Sequence, residues 1–494
     1  MTSKIKVDNI NKVSDDSNII KKCGTTTTIG SGASNPIVVD GSAITLGRCG
    51  GTVALASGAT QTGFGRTGTV DWDTTAKTAS FTGVSGNGYF VNTTGGVVTV
   101  NLPASPSAGD IVSISDYAGT AATNNITIGR NGSNIEGIAI DGRIYVNRDA
   151  TTLVYVDATQ GWIPVSDNLG STIFPEFVTA TGGTITTSGD FKIHTFTGPG
   201  TFTVSCAGNA SGSNAVDYLV VAGGGGGGNA ASGNGGGTGA GAGGFRTSAS
   251  TYSGPPLAVS TGVTVTATGY PVVVGGGGSG APGPSAPSGS KGSDSTALAI
   301  TSTGGGFAGG YISTGTPGTT GGSGAGGNPN SPSCIQAPNG GVLGNTPPVS
   351  PPQGNPGGKS DAGKRGGGGG AGQVGFGTCS TVGCGTPNTP STYGTGANGG
   401  AGAPNVITAS DVTYAGGGGG GGYESSSPGP RFAQGGLGGA GGGASAGIAP
   451  NNPPSSGASG TSNTGGGGGG GAGVGTNSGG SGGSGIVIIR YKFQ

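Results

Sequence analysis

The chain has 494 residues, and its composition already narrows the function. Glycine contributes 122 residues and only 8% of residues are charged, whereas an average domain has about 25% charged residues. The 20 basic and 20 acidic residues balance, and no basic cluster occurs. We therefore expect no nucleic-acid partner, because binding to phosphates needs clustered positive charge. No apolar run approaches the ~20 residues of a membrane-spanning helix.

Residues 1–75 are short alternations of polar and apolar residues broken by turns, such as Ile37–Ser42. Fragments of this length cannot form a core of their own. Two interpretations stay open: a flexible leader, or a segment ordered by packing against identical copies or a docking partner. Met1–Asp8 lacks the apolar stretch of a secretory signal, so we expect assembly in a cytoplasm.

Residues 76–168 alternate apolar and polar residues in runs separated by turn residues, which is typical of half-buried strands. The runs are Gly88–Asn92, Val97–Pro103, Asp110–Asp116, Asn125–Ile128, Thr152–Val156 and Trp162–Val165. Their spacing favours a small all-β domain of the sandwich or barrel type. Trp162 is the expected core or interface anchor.

Four motifs of this region, Gly88–Thr94, Leu102–Asp110, Ile128–Ser133 and Gly161-Trp162, resemble a β-module that recurs in the tail fibres of tailed phages. Ser3–Ile10 also resembles the virion-proximal ends of marine-phage fibres. The resemblance covers about the first third of the chain. It implies an N-terminal part that attaches to other virion tail proteins, a β-rich shaft, and a homotrimer.

Residues 169–185 are predicted to be a connector, and residues 186–494 one glycine-built module. Phe191–Val204 reads as a hairpin around a Gly-Pro-Gly turn. The strand-like run Tyr218–Ala222 feeds into an unbroken run of glycine, and Ile486–Tyr491 closes the chain as a second strand. The glycine runs are Gly223–Gly228, Gly275–Gly278, Gly366–Gly370, Gly416–Gly422 and Gly465–Gly471.

Four structures could explain so much glycine: a flexible linker, a collagen helix, a disordered condensing segment, or packed left-handed extended helices. A linker would not return repeatedly to apolar strands, and the proline is clustered rather than periodic. We favour packed extended helices with three residues per turn and a rise of about 3.1 Å. Such helices have no internal hydrogen bonds, so their amides must pair with neighbouring helices. The two apolar strands would clamp the ends of the array.

Four motifs, His194–Thr197, Asp217–Gly225, Gly243–Arg246 and Gly485–Tyr491, are similar in that order to the glycine-rich domain of phage tail fibres and adhesins. The resemblance spans about 300 residues and implies a sandwich of polyglycine II helices with exposed loops. The expected fold is therefore mostly β with little or no α-helix. N-terminal β fibre modules precede a C-terminal polyglycine II sandwich framed by short strands.

The sequence offers little for catalysis, and we expect no enzyme, no cofactor and no metal site. Gly357–Ser360 looks like the end of a nucleotide-binding loop, but Gln353 stands where that motif needs glycine. Gly479–Gly483 fits Gly-x-Ser-x-Gly by composition alone. His194 is the only histidine, and its place on an apolar strand favours a structural role. Cys379 and Cys384 form the only close cysteine pair, and a disulfide and two free thiols both stay open.

The interruptions between glycine runs are the candidate binding loops, since binding residues concentrate on loops of rigid scaffolds. They are Asn328–Asp361, Gln373–Thr395, Tyr423–Gln434 and Ile448–Thr464. Aromatic and arginine side chains are favoured anchors, and the candidates are Phe376, Tyr393, Tyr423, Arg431 and Phe432. The alternative is that these loops are solvated turns whose aromatic residues fold back for packing.

We therefore expect a tail-fibre adhesin of the virion, assembled in the host cytoplasm. Its partner would be a receptor on the host cell surface, either an outer-membrane protein or a glycan. The main rival is a structural virion or surface-filament protein whose glycine module packs against other copies. A glycan depolymerase is disfavoured by the few carboxylates after residue 200. An ice-binding protein would need regular flat arrays of alanine or threonine, which the sequence does not show.

Overall fold

The computed structural model describes most of the chain and divides it into two compact units, residues 1–69 and 70–494. The described residues are 9–11, 18–23, 26–29, 70–167, 174–209, 212–230, 235–252, 257–259, 261–283, 288–310, 317–327, 341–360, 365–377, 395–422, 434–448, 455–473 and 477–494. Within these ranges the only helix is the 3₁₀ turn Ala249–Thr251, so the expectation of a mostly β fold is confirmed. No helix in the described ranges is long and apolar enough to cross a membrane.

The first unit contains an antiparallel sheet in the order β1-β2-β3. These strands are β1 (Asn9–Asn11), β2 (Asn18–Cys23) and β3 (Thr26–Ile29). Whether this unit is a leader or a docking segment stays a prediction.

The second unit begins with nine strands that coil around one core. They are β4 (Asp71–Lys77), β5 (Phe81–Thr82), β6 (Asn87–Val91), β7 (Val98–Asn101), β8 (Ile111–Asp116), β9 (Ile126–Gly129), β10 (Gly142–Ile144), β11 (Ala150–Asp157) and β12 (Gly161–Asp167). Successive strands from β4 to β9 go alternately to two sheets and pair in parallel within each. The last strands, β10, β11 and β12, pair antiparallel. We call residues 70–167 the β-coil.

The side chains between the two sheets form the core of the β-coil. Ile114, Leu153 and Trp162 are fully buried there, which confirms Trp162 as a core anchor. The alternation of β8 and β11 explains this, because every second residue points to the same face. The parallel pairing was not predicted, since alternation along a strand does not say which strand lies beside it.

Strands β13 to β26 belong to the remainder of the chain. The first of them are β13 (Val178–Thr181), β14 (Thr184–Ser188), β15 (Phe191–Phe196), β16 (Gly200–Ala207), β17 (Ala215–Val221), β18 (Phe245–Ser248) and β19 (Ala258–Val259). The others are β20 (Val263–Thr264), β21 (Gly269–Val272), β22 (Ser295–Ala297), β23 (Ile300–Ser302), β24 (Ala403–Asn405), β25 (Val412–Tyr414) and β26 (Ile486–Lys492). Strand β13 lies inside the predicted connector 169–185 and β14 overlaps its end, and both pair with strands of this part of the chain.

A central sheet in the order β14-β15-β26-β17-β18-β19 carries the two apolar strands found in the sequence. Strands β17 and β26 are antiparallel neighbours, with Val221 opposite Ile486. The predicted clamp, which brings both ends of the glycine-rich body together, is therefore confirmed. The strands are buried on both faces, which explains their nearly continuous apolar sequence.

Each face of the central sheet has its own core. Tyr218 and Val220 pack towards the small sheet β13-β16-β21. Leu219 and Val221 pack against alanines of the glycine-rich body, including Ala242 and Ala371.

His194 lies in the first of these cores and is fully buried. Its Nδ1 is 2.7 Å from Gly182 O and its Nε2 is 3.2 Å from Tyr491 Oη. Tyr491 Oη in turn accepts the Ala180 N–H at 3.1 Å. Burial lowers the pKa of His194, because desolvation disfavours the charged imidazolium. These contacts join strands of two sheets and support the structural interpretation of this residue.

Residues 223–228, which follow β17, are surrounded by six other glycine-rich segments. Their N–H groups donate to residues 290–293, 480–483 and 238–241, and their C=O groups accept from residues 305–308, 278–281 and 468–471. The partner changes at each residue and returns every third residue. Gly223 donates to Ser293 O at 3.1 Å, and Gly226 donates to Ser290 O at 2.9 Å. This is the three-residue period of extended helices packed in a hexagonal array, and we call the array the lattice.

Four more segments have six neighbours each: residues 237–244, 366–371, 416–421 and 465–472. Shorter or more polar segments surround these five; among them are residues 275–282, 288–294, 303–310, 322–327, 353–360, 373–377, 395–402, 434–440, 442–448, 455–461 and 477–485. In the interior of the lattice, backbone N–H groups thus donate to backbone carbonyls of neighbouring segments. These bonds supply the partners that extended helices lack internally.

Glycine is required at many positions of the lattice interior because the segments approach each other too closely there for side chains, and the other buried residues of the interior, such as Ala240, are small. A Cβ built on Gly224 would overlap the carbonyl oxygen of Gly466, and one on Gly225 would overlap that of Gly306. Only glycine lacks that atom. A linker, a collagen helix and a disordered segment do not describe these residues.

Candidate functional site: the distal end of the lattice

The lattice has two different ends. We call proximal the end where Gly223 leaves β17 and Gly485 enters β26. There the segments are joined by described elements such as the hairpins β22-β23 and β24-β25. Tyr414 at the end of β25 is buried in this junction, and its burial raises its pKa. The opposite end, which we call distal, faces away from the sheets.

Four of the candidate residues, Tyr393, Tyr423, Arg431 and Phe432, belong to stretches of sequence that follow lattice segments ending at the distal end. Gly422 and Gln434 flank residues 423–433, and Thr395 follows residues 378–394. Gly420 N–H donates to Ala397 O at 2.8 Å, and Gly396 N–H donates to Gln434 O at 2.9 Å. The ends of three neighbouring segments therefore meet at one place. The fold brings the residues that flank 423–433 next to the residues that follow 378–394, and these two stretches carry most of the predicted anchors.

Phe376 is the predicted site residue that the structure describes. It is half-buried at the distal end of residues 373–377. Its N–H donates to Asn398 O at 3.1 Å, and its C=O accepts from Gly367 N–H at 3.1 Å. Its backbone is thus part of the lattice edge, which fixes the point from which the side chain extends. Tyr393, Tyr423, Arg431 and Phe432 lie outside the described residues, as do Cys379 and Cys384.

Two exposed apolar residues of outer lattice segments were not predicted. Leu437 is 64% exposed, and Ile448 is 45% exposed on the neighbouring segment. Leu437 N–H donates to Asn398 Oδ1 at 2.8 Å, which places it beside the segment that also bonds Phe376. The available signal was the pattern Gln434-Gly-Gly-Leu437-Gly-Gly-Ala440, in which every third residue is not glycine. In a three-residue helix these positions share one face.

Few charges belong to this end of the lattice. Lys359 is exposed, whereas Arg365 is 1% exposed and donates from Nε to Gly236 O at 2.6 Å. Lys359 and Arg365 stand on either side of residues 361–364. In the described part of this end, apolar and polar uncharged groups dominate, so the groups it offers are suited to apolar contact and hydrogen bonding.

Two of the predicted binding loops are partly lattice. Residues 341–360, inside the predicted loop Asn328–Asp361, bond to neighbouring segments, as in Gly324 N–H to Asn355 O at 3.0 Å. Residues 455–461, inside the predicted loop Ile448–Thr464, do the same. The prediction was wrong there because only unbroken glycine runs were taken as lattice. An outer segment needs glycine only at positions that face a neighbour.

The sequence profile of the glycine-rich domain family matches residues 195–492, which is more than half of the chain. The chain therefore belongs to the glycine-rich domain family. The match begins within β15 and ends at the last residue of β26, so it contains the lattice and the strands that clamp it. A comparison with curated protein sequences found no match.

Proposed function

We propose that the protein is a phage tail-fibre adhesin that attaches the virion to the host cell through the distal end of the lattice. The observation that carries the proposal is the difference between the two ends of the lattice. Its proximal end is clamped by β17 and β26, and the stretches with the predicted aromatic anchors start together at the other end. Loops on a rigid scaffold are where recognition residues concentrate.

The partners in this proposal are a host outer-membrane protein or glycan and, through the N-terminal part, other tail proteins of the virion. The resemblance of residues 1–168 to fibre modules supports this assignment and supports a homotrimer assembled in the host cytoplasm. Several copies on one virion would raise avidity without strong single contacts. The proposal needs no catalytic step, cofactor or metal.

The test is a pull-down of the purified full chain on cells that support the phage. Tyr423→Ala/Arg431→Ala/Phe432→Ala should lose most of the bound protein, because these residues supply the anchors. Val406→Ala/Asp411→Ala is the matched control, since both residues are exposed in the β24-β25 turn at the proximal end. Its binding should equal that of the wild type. If Tyr423→Ala/Arg431→Ala/Phe432→Ala binds as the wild type does, these three residues are not the anchors. Polymers without binding to cells would instead favour the filament function.

A further inference from the structure

The outer segments of the lattice have a three-residue pattern that differs from the interior. In residues 477–485, Ser478, Ser481 and Ser484 occur at every third position, with glycine at the positions between Ser478 and Ser484. Ser481 is exposed, and Ser478 and Ser484 are half-exposed. A Cβ on the intervening glycines would overlap carbonyl oxygens of neighbouring segments. Side chains therefore occur where the segment faces outward.

The neighbouring outer segment repeats the arrangement. Ser459 and Ser462 are exposed on residues 455–462, while Gly457 and Gly460 face the interior. This flank carries small uncharged side chains on outward positions of a regular backbone array. In the interior, the equivalent side of each segment is covered by a further layer of segments.

Side-chain oxygens also accept hydrogen bonds from N–H groups at the lattice edge. Ser481 Oγ accepts from Gly280 N–H at 3.3 Å, and Ser484 Oγ accepts from Asn463 N–H at 2.9 Å. Other edges show the same kind of bond: Ser445 Oγ accepts from Gly438 N–H at 3.3 Å, Ser455 Oγ from Ile448 N–H at 2.8 Å, Asn398 Oδ1 from Leu437 N–H at 2.8 Å and Thr319 Oγ1 from Phe307 N–H at 3.1 Å. In the interior, N–H groups such as that of Gly225 donate to backbone carbonyls instead.

We infer that these outward serines prevent the lattice of a second copy of the chain from packing onto this flank. A hexagonal array has no intrinsic stopping point, because each layer offers amides to the next. A bare glycine flank would therefore fit the equivalent flank of another copy, as an unprotected edge strand pairs with another sheet. The serine Cβ prevents the close approach that the lattice needs, and the serine Oγ takes up an amide hydrogen. The inference does not depend on the proposed function.

The test separates the two parts of the serine side chain. Ser478→Gly/Ser481→Gly/Ser484→Gly removes both the Cβ and the Oγ, and Ser478→Ala/Ser481→Ala/Ser484→Ala removes only the hydroxyl. In sedimentation velocity, the full-length glycine variant should associate with rising concentration and reach about twice the wild-type mass or more. The alanine variant should sediment as the wild type does, because its Cβ atoms still hold a second flank away.

Two results would overturn the inference. One is a glycine variant that melts as the wild type does and keeps the wild-type mass at every concentration. The other is an alanine variant that associates as strongly as the glycine variant, since the Cβ would then have no role. If the first glycine variant does not fold, Ser459→Gly/Ser462→Gly on the neighbouring segment takes its place, with Ser459→Ala/Ser462→Ala as its control.

Discussion

The β-coil and the lattice differ in what fills their interiors. The β-coil surrounds its interior with backbone and fills it with side chains such as Ile114 and Trp162. The interior of the lattice consists mainly of backbone, and the side chains buried in it, such as those of Ala240, Ala308 and Ala325, are small. The free energy of the β-coil therefore depends on apolar area removed from water. The stability of the lattice depends on amide pairing and on close approach, and it must offset the high entropy cost of ordering glycine.

The comparison predicts opposite responses to substitutions, and the largest effect is expected in the lattice. Gly225→Ala adds a Cβ that would overlap the carbonyl oxygen of Gly306. Both partners are backbone in the packed interior, so we expect a loss of at least ~3 kcal/mol, at the upper end for overpacked cores. Thermal unfolding of the full chain, followed by circular dichroism, measures it.

Gly276→Ala is the matched control for that substitution. Gly276 lies on an outer segment, and a Cβ there would have no atom within 4 Å. Its melting temperature should equal that of the wild type. Equal melting temperatures for Gly225→Ala and the wild type would show that the lattice interior tolerates side chains, which contradicts close approach as its organising principle.

In the β-coil the damaging change is the reverse one, from large to small. Ile114 is fully buried, and Ile114→Ala should cost about 2–5 kcal/mol because it leaves a cavity. Val156 is 47% exposed in the same β-coil, so Val156→Ala should change stability by no more than about 0.5 kcal/mol. Chemical denaturation of both variants gives the two values. A similar cost for both would mean that the β-coil does not depend on its side-chain core.

The smallest expected effect concerns the junction next to the lattice and depends on pH. The pKa of buried His194 is lowered in the folded protein, so the unfolded chain binds the proton more readily. The contribution of neutral His194 to the free energy of unfolding is therefore fully present above the unfolded pKa of about 6.5. It falls as pH decreases towards the folded value, by at most ~1.4 kcal/mol per pH unit.

The pH effect is measured as a difference between two proteins, because carboxylates also titrate in acid. His194→Gln removes the titrating group, so its unfolding free energy should fall less between pH 7 and pH 5 than that of the wild type. Parallel pH profiles for the two proteins would show that His194 takes up its proton equally in the folded and the unfolded chain, which contradicts a lowered pKa in the folded protein.

The sequence was most informative about features that a short run or a single residue indicates. The strands β17 and β26 were found from their apolar runs, and Trp162 was predicted to be a core or interface anchor because its side chain is large and aromatic. The distal site was predicted only in part. Phe376 stands at the lattice edge as a half-buried residue, and exposed Leu437 and Ile448 were missed because a single large apolar residue forms no run.

The amino-acid sequence by itself determined that the chain is β-rich, that it avoids α-helix, and that its glycine runs need amide partners outside themselves. Tertiary structure alone decided which segments become neighbours. Residues 223–228 bond to residues 290–293 and 480–483, which are distant in sequence, and one glycine run is chemically the same as another. The choice therefore rests on how the strands and turns at the proximal end direct each segment. Those directions result from packing across the whole domain and are not contained in any local pattern.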